Sequence, residues 1–129
     1  MDRSKKMSET ESEIMEVLWR SDVPLSSAQL MEHFAAHHGK EWKAQTLSTF
    51  LSRLTQKGLL RSQRQGRVVY YQPLQSKAEY SQGLARSILD TMYQGSVKTF
   101  FAALCGGTPL PEEERKELRS WLEEQEETS

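Results

Sequence analysis

The most constraining stretch of this chain runs from Lys43 to Gly58, where Leu47, Phe50, Leu51 and Leu54 stand at i, i+3, i+4 and i+7. That spacing predicts a helix with one buried stripe, closed by a glycine where a left-handed residue ends a helix. The opposite face is Gln45, Ser48, Thr49, Ser52 and Arg53, all short or hydrogen-bonding side chains. Leu59-Leu60 and Val68-Val69-Tyr70-Tyr71 follow at once, rich in β-branched and aromatic residues, and predict two strands. Gln65-Gly66 is the expected turn between them, flanked by Arg64 and Arg67, and Pro73 ends the pairing.

Two helices are expected ahead of this unit. Ser8 with Glu11, and Thr10 with Glu13, both fit a box in which a hydroxyl and a glutamate satisfy each other's free backbone donors. Ile14, Val17 and Leu18 form the stripe behind them, and Val23-Pro24 ends that helix. Ser26 with Gln29 is a second capping box, with Leu25 and Leu30 as the apolar staple around it. From Ser76 the pattern is helical again. Tyr80, Leu84, Ile88 and Met92 recur at i+4, and Val97, Phe100, Phe101 and Leu104 continue the apolar content. Gly106 to Pro109 breaks it, and Pro111 with three glutamates opens a last helix striped by Leu118, Trp121 and Leu122.

Three helices and a hairpin tipped by Arg-Gln-Gly-Arg are the order of a winged helix-turn-helix. The fold class is therefore mostly α with a small β-hairpin. A DNA-binding domain is expected over residues 1–74 and a helical dimerisation segment over 75–129. A helix fits the major groove and its short polar residues reach base edges, while arginines on a hairpin tip reach backbone or minor groove. Charge is segregated accordingly. Net charge is only −1, yet Lys40, Lys43, Arg53, Lys57, Arg61, Arg64 and Arg67 are opposed by Glu41 alone in their stretch, and eight glutamates lie between Glu112 and Glu127. Lys43 and Lys57, at the two ends of the third helix, are expected over phosphates. A winged helix used only for protein contacts is the plainer alternative, and it gives no reason for loading helix and wing with cations.

The run Ser8-Glu9-Thr10-Glu11-Ser12-Glu13-Ile14-Met15-Glu16-Val17-Leu18-Trp19 resembles the opening of the penicillinase-repressor family. Trp42, Thr46, Thr49, Leu51-Ser52-Arg53-Leu54 and Lys57-Gly58-Leu59 resemble its recognition-helix block. Gly66-Arg67 with Tyr70-Tyr71-Gln72-Pro73-Leu74 resembles its wing, and Gly95-Ser96, Leu110 and Glu117-Leu118-Arg119 continue the likeness to the end. The resemblance implies a homodimeric repressor on a palindromic operator in duplex DNA, with Lys43, Gln45, Thr46, Ser48, Thr49, Ser52, Arg53, Lys57, Arg64 and Arg67 as its DNA-binding residues. It also implies dimerisation through the C-terminal helices, here Tyr80, Leu84, Ile88, Met92, Phe100, Phe101, Leu104, Leu118, Trp121 and Leu122. In some members a protease cuts between an asparagine and a phenylalanine, which makes a membrane-bound sensor protease an expected partner; the matching bond here is Ala103-Leu104. Lys43, Ala44 and Gln45 replace the Ser-Pro-Lys usual before the shared threonine, so the operator does not carry over.

The remaining motifs exclude other classes. Cys105 is the sole cysteine, so the Cys clusters of copper-responsive members are absent and no closed thiolate metal site forms. It reads as a small hydrophobe near a helix end. His33 and His37 have chelating i, i+4 spacing, but no Glu completes a metalloprotease motif, and surface histidines are the default. No cofactor, resident metal or enzyme activity is expected. No segment reaches the roughly 20 apolar residues of a membrane span, the first residues lack the apolar run of a signal peptide, and a cytoplasmic location follows. The competing functional reading is a regulator sensing a small molecule in a pocket lined by Tyr80, Leu84 and Phe100.

Overall fold

The computed structural model describes residues 7–128. The opening six, read above as free of an apolar leader, lie outside the described residues. The order is α1 (Glu9–Arg20), β1 (Leu25–Ser26), α2 (Ser27–His37), α3 (Ala44–Gln56), β2 (Leu60–Gln65), β3 (Val68–Pro73), α4 (Lys77–Met92), α5 (Val97–Leu104) and α6 (Glu112–Thr128). None of the described helices is long and apolar enough to cross a membrane.

The capping chemistry sets the helix starts. Of the two candidate boxes at α1, Ser8 and Glu11 form it: Oγ accepts from Glu11 N–H at 3.1 Å and the glutamate accepts from Ser8 N–H at 2.8 Å. Ser26 and Gln29 repeat the arrangement at α2, and Ser76 with Glu79 at α4. Gly58, at φ 79°, follows the α3 C-cap Lys57 and turns the chain into the wing.

The stripes of α1, α2 and α3 meet in one core. Ile14, Leu30, Phe34, Leu47, Leu51 and Leu54 have no solvent exposure, and Leu59 and Leu60 seal the end toward the wing. Each such side chain contributes about 1.5–3 kcal/mol by leaving water. β2 and β3 pair antiparallel from Leu60 against Pro73 to Gln65 against Val68. The two central residues are thus Gly66 and Arg67, with Gly66 at φ 65°, a conformation glycine adopts without strain.

Besides the turn, which falls on Gly66-Arg67 rather than on Gln65-Gly66, three features depart from expectation. The two residues Leu25–Ser26 form a third strand, pairing with Tyr71 and Tyr70, so the sheet order is β1-β3-β2. The expected continuous apolar helix after Ser76 is interrupted between Met92 and Val97, where Gln94 at φ 53° and Gly95 at φ 80° turn the chain. Finally, the chain divides into two compact units between Ser87 and Ile88, thirteen residues beyond the expected boundary at Leu74. The reason is Tyr80. It is 7% exposed, its ring lies 5.5 Å from that of Trp19 on α1, and the Trp19 indole N–H donates to the Gln75 carbonyl at 2.9 Å. The start of α4 therefore completes the core of the first unit.

The second unit comprises the end of α4, α5 and α6. Within it Tyr93, Phe100 and Phe101 form a chain of edge-on ring contacts at 5.4 and 5.5 Å.

Candidate nucleic-acid interface

Burying Leu47, Leu51 and Leu54 forces the other side of α3 outward. Gln45, Thr46, Ser48, Thr49, Ser52 and Arg53 are all exposed, so the structure gathers the expected base-reading residues on one polar face. The Thr49 hydroxyl donates to the Gln45 carbonyl at 2.9 Å, which leaves its oxygen lone pairs available as acceptors on the exposed face. The Arg53 guanidinium lies 5.6 Å from the Phe50 ring centroid, which steers the charge along the helix surface. Lys43 is the α3 N-cap, is exposed, and makes no side-chain capping bond.

The wing is exposed from Arg61 through Val68 and carries Arg64 and Arg67 at and beside its tip. Arg61, which sequence reasoning counted among the cations but did not assign to the site, lies on β2 directly across from Gln72. With its amide turned so that the oxygen faces Arg61, Gln72 accepts from that guanidinium and braces Arg61 on the wing.

Lys57 is the residue that geometry reassigns. Its ammonium donates to both carboxylate oxygens of Glu11, at 2.8 and 2.9 Å, rather than standing out over a phosphate position. The Glu11 side chain is 4% exposed and the Lys57 side chain 25%. Burial pushes the Glu11 carboxyl up, but the Lys57 hydrogen bond, the Ser8 N–H, the lysine charge and the Ser8 hydroxyl together hold it below its ordinary value. The pair ties the C-terminal end of α3 to the first turn of α1. The same negative charge, after burial, raises the phenol of Tyr80.

The residues expected at a dimer contact separate into three groups by burial. Tyr80 is a correction, since it is consumed by the core beside Trp19. Leu84, Ile88 and Met92 stay on one exposed stripe of α4, and Leu104, Trp121 and Leu122 are 51–57% exposed. Phe100, Phe101 and Leu118 are partly covered. The bond between Ala103 and Leu104 lies in the last turn of α5, with both residues exposed. Cys105 caps that helix, half-buried.

The model of the penicillinase repressor family matches residues 7–124. The chain belongs to the penicillinase-repressor family. Its family likeness extends to the penicillinase repressor of Bacillus licheniformis, 27% identical over 96% of this chain and 94% of the relative. It extends also to the methicillin resistance regulatory protein MecI of Staphylococcus aureus, 21% identical over 93% of this chain and 95% of that one. Among solved structures, the DNA-binding domain of the repressor BlaI superposes with a TM-score of 0.51 at 28% identity, covering 62% of this chain and 94% of that domain. The complex structure of hsRosR-S1 shares the fold, with a TM-score of 0.53 at 16% identity over 80% of this chain and 96% of that one. A penicillinase-repressor protein is a transcriptional repressor and not an enzyme, and the winged helix is the part of this chain that matches a repressor's DNA-binding domain.

Proposed function

We propose that this repressor acts as a homodimer, each subunit placing α3 in the major groove of one half of a palindromic operator and its wing on the flanking backbone or minor groove. The observation that carries the reading is the two-sided α3: three leucines without exposure on one side, six exposed polar residues on the other. Gln45, Thr46, Ser48, Thr49, Ser52 and Arg53 have the reach and donor sets to read base edges, and Lys43, Arg64 and Arg67 the charge to hold phosphates. Dimerisation rests on the large apolar side chains that each unit leaves exposed, Leu84, Ile88 and Met92 on α4, Leu104 on α5, and Trp121 and Leu122 on α6, because a partner copy would take them out of water. DNA as the partner implies a cytoplasmic location. The pocket reading is disfavoured because Tyr80, one of its three walls, is packed against Trp19.

Induction by cleavage at Ala103-Leu104, performed by a membrane-bound sensor protease, is the mechanism the exposed last turn of α5 supports, since a fraying helix end ahead of Gly106-Gly107 admits a protease. Loss of α6 would remove Trp121 and Leu122 and release DNA by mass action. Two experiments test the function. Duplex binding by the full chain should weaken steeply with salt, and replacing Arg64 and Arg67 by alanine should flatten the slope of log affinity against log salt by up to about two. An unchanged slope removes the wing from the interface. Fragment masses after induction in the presence of the sensor should show a break at Ala103-Leu104; an intact chain with its target gene switched on ends the cleavage reading.

A further inference from the structure

One cluster has no part in the interface. At the C-terminal end of α2, the His33 and His37 rings lie one turn apart with centroids 4.6 Å from each other, and the His38 ring lies 5.5 Å from His33. His37 and His38 are exposed and His33 is half-buried, so all three rings are open to a small ion. Two imidazoles bound tetrahedrally to one ion through bonds of about 2.0–2.1 Å have centroids roughly 5 Å apart. The observed separations fall on either side of that value.

We propose that His33 and His37 chelate a divalent transition metal ion of the zinc, nickel or copper class. Imidazole suits these ions, whereas magnesium and calcium demand oxygen ligands. Among the described residues no three His, Cys, Asp or Glu side chains stand ready around one point. The site is accordingly a two-histidine chelate, its remaining positions filled by water or, after rotation, by His38.

Its position gives the ion a route to the DNA face. The His38 ring packs 4.8 Å from Phe34, Phe34 meets Trp42 edge-on at 5.8 Å, Trp42 meets Phe50 at 5.7 Å, and Arg53 lies over Phe50. Phe34 is fully buried, so a shift of the imidazoles packed on it is passed to neighbours rather than absorbed by solvent. Fixing the imidazoles therefore biases the turn before α3, a consequence that rests on Arg53 facing DNA. The chelation itself does not.

The test is calorimetric titration of zinc and of nickel, each alone, into the full chain carrying Cys105→Ser, which removes the thiol as a competing ligand. One ion per chain should bind, and His37→Ala and His33→Ala should each weaken binding at least tenfold. The exposed position of His37 makes its substitution silent in thermal unfolding, so lost binding there is not lost folding. Binding by either variant as tight as the parent's, or no stoichiometric binding to the parent, overturns the site. Zinc should also change the affinity for a random-sequence duplex at least threefold in the parent and not in His33→Ala/His37→Ala. Binding of the ion with no such change overturns the coupling to α3 and leaves the chelate.

Discussion

Replacing Lys57 separates two roles that a lysine at the end of a recognition helix could have. In Lys57→Met the Glu11 carboxylate, 4% exposed, keeps the Ser8 N–H but loses both ammonium contacts. Removing one partner of a buried ion pair costs about 3–5 kcal/mol when water is excluded. The lysine side is 25% exposed, so water enters and the expected loss falls to about 2–3 kcal/mol. For a unit of this size that lowers the thermal midpoint by roughly 10–20 °C. Glu11→Gln keeps the Ser8 cap and frees the lysine to reach solvent, so it should cost less, about 1–2 kcal/mol. The double variant should be more stable than the two losses added together. The pH dependence has a definite sign. A carboxyl whose folded pKa is depressed stabilises the fold above its ordinary value of 4.5, and that stability is lost as pH falls through the lower folded value. The gap between parent and Lys57→Met should therefore be widest near neutrality and close in acid. Chemical denaturation at several pH values measures this, and duplex binding against salt supplies the control. A salt slope flatter by about one, with stability unchanged, would show that Lys57 holds a phosphate and refute the ion-pair reasoning.

Further outcomes follow from the same geometry. Arg53→Ala should cost roughly 1–3 kcal/mol on a specific operator and far less on random duplex, whereas a uniform loss in anisotropy titrations would place Arg53 on a phosphate. A chain ended after Leu74 should lose about 2–4 kcal/mol of stability with Tyr80 and the cover it gives Trp19; equal unfolding midpoints for chains ended after Leu74 and after Ser87 would contradict the placement of Tyr80. The chain ended after Ser87 should sediment as a monomer and bind operator far more weakly than the full chain, and a dimer from it would move the interface into the winged helix.

What the sequence disclosed is what short-range physics determines. The α3 stripe, its terminal glycine, the capping boxes and the arginine-tipped hairpin each lie within a few residues of their partners, so spacing alone reveals them. The rest depends on contacts across the chain. A strand of two residues, Leu25–Ser26, has no period to read, and its pairing with Tyr70 and Tyr71 lies far along the sequence. Glu11 and Lys57 are 46 residues apart, and nothing near either marks the other as its partner. Tyr80 belongs to an i+4 apolar series with Leu84, Ile88 and Met92, but periodicity shows only that a face is apolar, not what covers it. Trp19 covers the first residue of that series and leaves the next three exposed, which is why the boundary moved to Ser87.

Selection of binding sites from a random duplex pool tests the central claim most directly, because it asks about base reading and dimeric symmetry together. The full chain should enrich an inverted repeat whose half-sites are separated by about one helical turn or a multiple of it. A chain carrying Gln45→Ala and Arg53→Ala should lose base preference at symmetry-related positions of both halves while keeping its salt-dependent hold on DNA. Enrichment of a single unrepeated site, no enrichment at all, or an identical preference from the substituted chain would contradict the account.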